Sequence, residues 1–416
     1  MGVVLPDDLA PVAGAGLGPL VMVGNGGPLG SGLAAALLTE VAVAFAAEGF
    51  VPITAAHIDG CLFHGQAGLD FAERLLAEGA RVRVPTTLNV SSLDLLHPAL
   101  YRGDPQTARS ARRLMDVYEA MGCQPTWTCA PYQLPDRPVL GQQIAWAESN
   151  AIVFANSVLG ARTNRYGDFL DIACAVTGVA PFYGLHTDQG RRGTLVVRLE
   201  HLDPEWLDSD WFYPVLGSLL GRRCPTDIPT IVGLDARASE DRLKALGAGA
   251  ASTGAIAMFH AVGVTPEAGT LLEATGGAEL PEVAIGMDDI AAERQRLSTS
   301  LGQPPQAVSL GAPHYSPDEL KRLGGWLQHR RAVMPVFVNT NRAAVEEVPA
   351  VVRDLIECGV TVVTDTCTYI TPIIDPSIRV VMTDSAKWAY YAPGNLGVGV
   401  VFGSPQECIA VALGER

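Results

Sequence analysis

Three of the eight cysteines in this chain share a setting. Cys61 closes the run His57-Ile-Asp-Gly-Cys61, Cys129 sits in Pro125-Thr-Trp-Thr-Cys-Ala-Pro-Tyr132, and Cys367 in Thr364-Asp-Thr-Cys-Thr-Tyr369. Each follows an apolar stretch that reads as a strand, and each has polar residues and Gly or Pro beside it. Open α/β sheets bind ligands at the carboxyl ends of their strands, so three such ends could meet at one point. Three thiolates with one open coordination position would suit an iron–sulfur cluster or zinc, and the open position would act on a substrate oxygen as a Lewis acid. Taken singly, each thiol is more simply a buried apolar side chain; the shared placement is the argument. Cys123, Cys174, Cys224, Cys358 and Cys408 fall in helices or unmarked loops and read as structural. No CxxC pair occurs, which speaks against zinc ribbons and thioredoxin-like chemistry.

Other polar segments also follow strand-like runs. Pro85–Ser92 carries Thr86, Thr87 and Asn89, whose hydroxyls and amide could hold a carboxylate or simply form a polar loop. Asn156–Asn164 holds Ser157, Thr163 and Arg162, whose guanidinium fork matches a carboxylate. Lys387 stands beside aromatics in Asp384–Asn395; its plain reading is a surface lysine. His57 and His64 flank Cys61, while His260 and His314 read as satisfied core or loop histidines. The run Gly24–Gly32 fits neither the dinucleotide nor the P-loop spacing and reads as a glycine turn.

The elements that must position these groups alternate. Helices are expected over 33–48, 69–78, 106–121 and within 342–358, with Pro349 in a first turn. Strands are expected over 20–23, 50–54, 81–84, 125–128, 151–155, 230–233, 334–339, 360–364 and 379–382. Alternation of this kind predicts an α/β fold with mainly parallel sheets flanked by helices. The stretch 276–304 is the best boundary, dividing first lobes (1–275) from a C-terminal α/β lobe (276–416). The formal charge of −15 disfavours nucleic acid and anionic membranes as partners. The acidic N-terminus lacks the basic start of a secretory signal, and Glu40 and Glu48 interrupt the most apolar stretch, so a cytoplasmic chain with reduced thiols is expected.

Together these segments resemble the large domain of the aconitase X family. The resemblance is carried by 56–75, 84–98, 125–135, 145–168, 254–268, 364–372 and 384–409; the first 45 or so residues show none of it. It implies an iron–sulfur hydro-lyase with an aconitase-like multi-lobed fold. One branch of the family dehydrates cis-3-hydroxy-L-proline to 1-pyrroline-2-carboxylate with a 2Fe-2S cluster; the other dehydrates mevalonate 5-phosphate with a larger one (3Fe-4S or 4Fe-4S). The second branch is expected to place a cysteine in GCPH, and this chain reads Gly311-Ala-Pro-His314. The resemblance therefore implies Cys61, Cys129 and Cys367 as ligands and hydroxyproline as substrate. It further implies Thr86, Thr87, Asn89 and Arg162 on the carboxylate, Ser157, Thr163 and Lys387 lining the pocket with Lys387 and Ser157 as the catalytic candidates, and His57 and Asp59 binding substrate and orienting the Cys61 segment. The small swivel domain that bears the family's catalytic serine is not expected within 416 residues, so a separate small subunit is expected as partner. The alternatives are a phosphomevalonate dehydratase large subunit and a cluster-free ligand- or partner-binding relative.

Overall fold

The structure is a computed structural model that describes residues 21–22 and 32–415. The glycine run over 24–31 lies outside the described residues. The helices form where their signals stand. Asp104 caps Pro105–Ala120, accepting from Thr107 N at 2.7 Å, and the expected apolar face of Ala111, Leu114, Met115 and Tyr118 is buried. The expected helix over 342–358 is two, Arg342–Glu347 and Pro349–Glu357. Pro349 has no N–H to continue the first and opens the second.

Fifteen strands form four sheets among the described residues. In the first lobe Ala56–Ile58 lies between Thr86–Leu88 and Ala145–Trp146, all parallel. Beside it, Gly49–Pro52 pairs parallel with Val21–Met22 and antiparallel with Val179–Pro181. The second lobe orders Glu282–Ile285, Leu195–Leu199, Pro229–Val232 and His260–Ala261, all parallel. The third orders Val360–Val363, Val336–Thr340, Ala307–Tyr315, Val380–Thr383 and Gly399–Phe402, again all parallel. Its central strand comes first in sequence, and the chain then winds outward to either side of it. The crevice at such a reversal is where doubly wound sheets take ligands.

Four expectations need correction. Residues 151–155 form a helix, Ser149–Phe154, and not a strand, because an apolar run buried all round has no period to tell the two apart. Residues 81–84 precede the strand, which starts at Thr86 after Pro85. Residues 125–128 form no ladder; only a single bridge joins Gln124 to Thr87. The boundary at 275/276 cuts the second lobe, since Glu282–Ile285 pairs with Leu195–Leu199.

In the second lobe Phe212–Arg223 and Glu240–Thr253 pack at glycine contacts: a Cβ on Gly217 would stand 2.0 Å from the Leu246 carbonyl oxygen. The first and third lobes are joined by buried polar contacts. Asp94 accepts from Thr364 N at 2.9 Å and Thr364 Oγ1 at 3.1 Å, and also from the main chain of Leu96 and His97. Asp365 returns the contact, accepting from Ser91 N through its carbonyl and from Leu95 N through its carboxylate, while Arg342 grips it with two bonds of 2.7 Å. These bonds hold residues 89–95 against 364–367.

Asp94→Ala would strand several buried donors at once. We expect a loss on the order of 2–4 kcal/mol, read as a lowered denaturation midpoint with native-like secondary structure retained. An unchanged midpoint would mean that the lobes are held elsewhere.

Candidate active site

Most groups at the site sit at or just past the end of a parallel strand. The first-lobe sheet delivers Asp59 after Ala56–Ile58, Asn89 after Thr86–Leu88 and Glu148 shortly after Ala145–Trp146. The third-lobe sheet delivers Cys367 after Val360–Val363, His314 at the end of Ala307–Tyr315 and Lys387 after Val380–Thr383. The two sets of strand ends meet at a cleft of about 390 Å³, lined among others by Asp59, Asn89, Cys129, Glu148, Arg165 and Lys387.

Cys129 of the cleft wall is buried with Cys367 and His314 behind it, their ligand-type atoms all within 4.8 Å of one another. The His314 main-chain N–H donates to Cys129 Sγ at 3.3 Å. Its imidazole Nε2 faces the Thr366 carbonyl at 3.1 Å, which can only accept, so Nε2 carries the hydrogen. Nδ1 is then the acceptor, 3.3 Å from Thr128 Oγ1. Burial, with Lys244 and Lys387 nearby, lowers the His314 pKa to about 4, so the ring is neutral. The neighbouring Cys129 sulfur and burial push the Cys367 thiol well above its ordinary range. Two adjacent sulfurs cannot both ionise in such a place without a cation between them, which is what a soft metal provides.

Lys387 and Glu148 form a salt bridge between the third and first lobes, with side chains 4% and 5% exposed. Glu148 is held at φ 72° and caps the next helix, accepting from Ala151 N at 2.8 Å and from Asn150 Nδ2. Asn150 in turn donates to the Cys129 carbonyl at 3.0 Å. Burial opposes the ammonium, but Glu148, Tyr369 and Cys129 outweigh it and hold the Lys387 pKa well above its usual value. Asp59 Oδ1 accepts from Asn89 Nδ2. Burial, Asp168 and Glu148 raise the Asp59 carboxyl to about 8, and burial with Asp168 raises its neighbour Asp171 to about 7. His57 hydrogen-bonds Thr87 Oγ1 through Nδ1 at 2.8 Å; its Nε2 and Asn89 Oδ1 are buried without a partner among the described residues. Burial lowers the His57 pKa to about 3.

Of the expected residues, Asp59, Asn89, Cys129 and Lys387 line the cleft, Cys367 lies beside Cys129, and His57 lies beneath. Cys61 does not join the other two sulfurs. Its Sγ donates to the carbonyls of Ile58 at 3.3 Å and Asn89 at 3.4 Å, within the first-lobe core. Thr86 and Thr87 lie inside a strand, with hydroxyls turned to Val84 O and to His57 and Ala56 O, because the strand ends at Leu88 and not before Pro85. Ser157, Thr163 and Arg162 follow a helix and not a strand, and so miss the cleft. Ser157 Oγ accepts from Phe259 N at 2.8 Å, Thr163 Oγ1 bonds main-chain groups of Trp146 and Asn164, and Arg162 pairs with Asp188 at 2.6 Å. Three residues further on, Arg165 reaches the cleft instead. His314, Glu148 and Arg165 were not singled out from sequence. His314 stood in the Gly311-Ala-Pro-His314 stretch already compared with GCPH, while nothing local marks Glu148 or Arg165.

Comparison with known proteins gives a consistent picture. Residues 24–189, 193–295 and 305–414 match the families described as Aconitase X first, second and third domain. The chain is 41% identical to a cis-3-hydroxy-L-proline dehydratase of Pseudomonas aeruginosa, over 92% of this chain and 67% of that protein. A protein of the same name from Hypocrea jecorina is 40% identical over 90% of this chain, which spans 64% of its length. The phosphomevalonate dehydratase large subunit of Methanothermobacter thermautotrophicus is 37% identical, over 88% of this chain and 90% of that one. The crystal structure of Thermococcus kodakaraensis aconitase X in its holo-form has a TM-score of 0.81 at 29% identity, covering 91% of this chain and 94% of that one. No helix among the described residues is long and apolar enough to cross a membrane.

Two measurements probe the charged groups. Lys387→Met leaves Glu148 buried and unpaired and should cost about 3–5 kcal/mol. Adding Glu148→Gln should recover much of that, so equal losses in the single and double variants would refute the pairing. Asp59 and Asp171 have folded pKa values above their unfolded ones, so the neutral form is favoured on folding. Their contribution is complete below about pH 4 and is lost as pH rises to about 7–8. Thermal midpoints should fall from pH 5 to pH 8, and less steeply in Asp171→Asn.

Proposed function

Because the chain belongs to the aconitase X family, we propose that it is a hydro-lyase that dehydrates cis-3-hydroxy-L-proline to 1-pyrroline-2-carboxylate, working as a large subunit with a separate small swivel subunit. The observation that carries this reading is the buried Cys129–Cys367 pair beside the Lys387–Glu148 pair at one cleft. Cys129 and Cys367 fit an iron–sulfur group by donor type, and the His314 N–H supports the Cys129 sulfur. We take the group as 2Fe-2S and Cys61 as its third thiolate. The Cys61 sulfur bonds the carbonyl of Asn89, a residue of the cleft wall, so ligation requires that thiol to leave its carbonyl partners. Bound there, the cluster supplies a Lewis-acid position for a substrate oxygen.

The chain's own residues do the rest. Lys387 stays charged beside Glu148 and faces the cleft, where its ammonium donates to the hydroxyl that departs from C3. Cleft polar groups orient the ring, and the serine of the small subunit takes the α-proton. The enamine then tautomerises to the pyrroline. Hydroxyproline is preferred to mevalonate 5-phosphate on two grounds. Where the phosphomevalonate branch is expected to carry a thiol, this chain has buried Ala312, whose carbonyl accepts from Ser385. Of the cleft's basic groups His64, Arg165 and Lys387, the last is already neutralised by Glu148, a poor provision for a phosphate together with a carboxylate.

Iron and sulfide analysis of anaerobically purified protein, with assays on both substrates in the presence of the small subunit, tests the reading. Iron should be present and should be lost in Cys129→Ser and Cys367→Ser, and cis-3-hydroxy-L-proline should turn over. Turnover of mevalonate 5-phosphate alone would reassign the substrate. Iron-free protein indifferent to both substitutions would leave a binding protein.

A further inference from the structure

Among the described residues, two titratable groups of the cleft, Asp59 and Arg165, have no side-chain partner of opposite charge. Asp59 stands at the end of the central strand of the first-lobe sheet, and its own N–H is anchored on Asp171 Oδ2 at 2.7 Å. One carboxyl oxygen accepts from Asn89, and among the described residues no Lys, Arg or His pairs with the carboxyl. Asp168, Glu148 and Asp171 crowd it with like charge. Glu148 is already taken by Lys387. Arg165 is the counterpart. Its guanidinium is steadied by main-chain carbonyls alone, Nη1 donating to Gly254 at 3.4 Å and Ile256 at 3.2 Å and Nη2 to Ala251 at 3.1 Å. Among the described residues Nε–H and one Nη2–H of Arg165 remain without a partner, so the guanidinium keeps donors for a carboxylate. The main-chain bonds fix the head of an otherwise flexible side chain while leaving its charge unspent.

Both groups line the same cleft as Cys129 and Lys387. A cleft that holds one carboxyl and one guanidinium, neither with a side-chain partner of opposite charge among the described residues, matches a zwitterion. We propose that Asp59 receives the secondary ammonium of a cyclic amino acid and Arg165 its carboxylate, so that Asp59 determines the selection of an amino acid over an amine-free hydroxy acid. This deepens the hydroxyproline reading and rests on it. It gives Asp59 a role beyond supporting the Cys61 segment, and it places the carboxylate on Arg165 in place of Arg162, which is engaged by Asp188.

The probes are two unreactive rings of nearly equal shape, L-proline and tetrahydrofuran-2-carboxylate, in which an ether oxygen replaces the amine. Calorimetric titration of the anaerobically purified full chain should give L-proline an advantage on the order of 30-fold or more, as expected for a charge partner inside a cleft. Asp59→Asn keeps an acceptor for Asn89 and should erase that advantage while leaving the ether acid within about 3-fold. Arg165→Gln should weaken both rings alike. If the wild-type chain binds L-proline but shows no preference over the ether acid, or if Asp59→Asn weakens both rings equally, the Asp59 assignment falls and the hydroxyproline reading stands. If the wild-type chain binds mevalonate 5-phosphate and ignores L-proline, that reading falls and takes the assignment with it. The comparison of the two rings on unaltered protein stays decisive even if Asp59→Asn fails to fold.

Discussion

The salt bridge between Lys387 and Glu148 is the contact on which the site depends. Either charge alone would be prohibitively costly where both are nearly sealed from water. Together they oblige the third lobe, which carries Lys387, to close on the first, which carries Glu148. Closure fixes more than the pair. Glu148 caps the helix Ser149–Phe154, whose Asn150 holds the Cys129 carbonyl, so the sulfur that meets Cys367 is placed through the same carboxylate. The Asp94 and Asp365 contacts act in parallel a short way off, where one buried loop supplies acceptors for the other's N–H groups.

The fold explains why so many polar groups converge. Both sheets that border the cleft are parallel, so in each the loops after the strands leave from one edge. Two such edges set face to face give a wall of loop residues on either side and apolar layers behind. The second lobe contributes less chemistry and more scaffolding. Its helix Glu240–Thr253 packs at glycine distance on Phe212–Arg223, holds Arg165 through the carbonyl of Ala251, and sends Lys244 to Glu319 and the His314 carbonyl. The strand end that offers His314 to the cysteines is thus braced from behind by a second buried ion pair.

The shifted carboxyls follow from the same geometry. Strand ends bring Asp59 and Glu148 to one place, the start of the helix Leu170–Thr177 adds Asp171 and the turn before it Asp168, and only Glu148 has a lysine. Of the others, Asp171 is fully buried and Asp59 partly so, and neither has a salt-bridge partner among the described residues. An arrangement of this kind spends stability on readiness for a cation, a cost typical of binding sites.

Much was legible in the sequence. The alternation of helix and strand foretold parallel α/β lobes, because periodicity and capping are local properties of the chain. Cys367, Asn89 and Lys387 were legible as candidates, because strand ends can be found from apolar runs and polar breaks; Cys129 was picked out beside a strand that does not form, and Asp59 came only from the family resemblance. Errors arose where a local signal was ambiguous: Ala151–Ala155 could be helix or strand, and reading it as strand carried Ser157, Arg162 and Thr163 to a site they do not reach. Starting the strand before Pro85 misplaced Thr86 and Thr87 in the same way. Sequence alone determined which residue types stand at which strand ends. Tertiary structure alone decided which charges are neutralised, that Glu148 takes Lys387 and Asp188 takes Arg162 while Arg165 and Asp59 stay free, because pairing depends on distances between segments far apart along the chain, and no local periodicity records them.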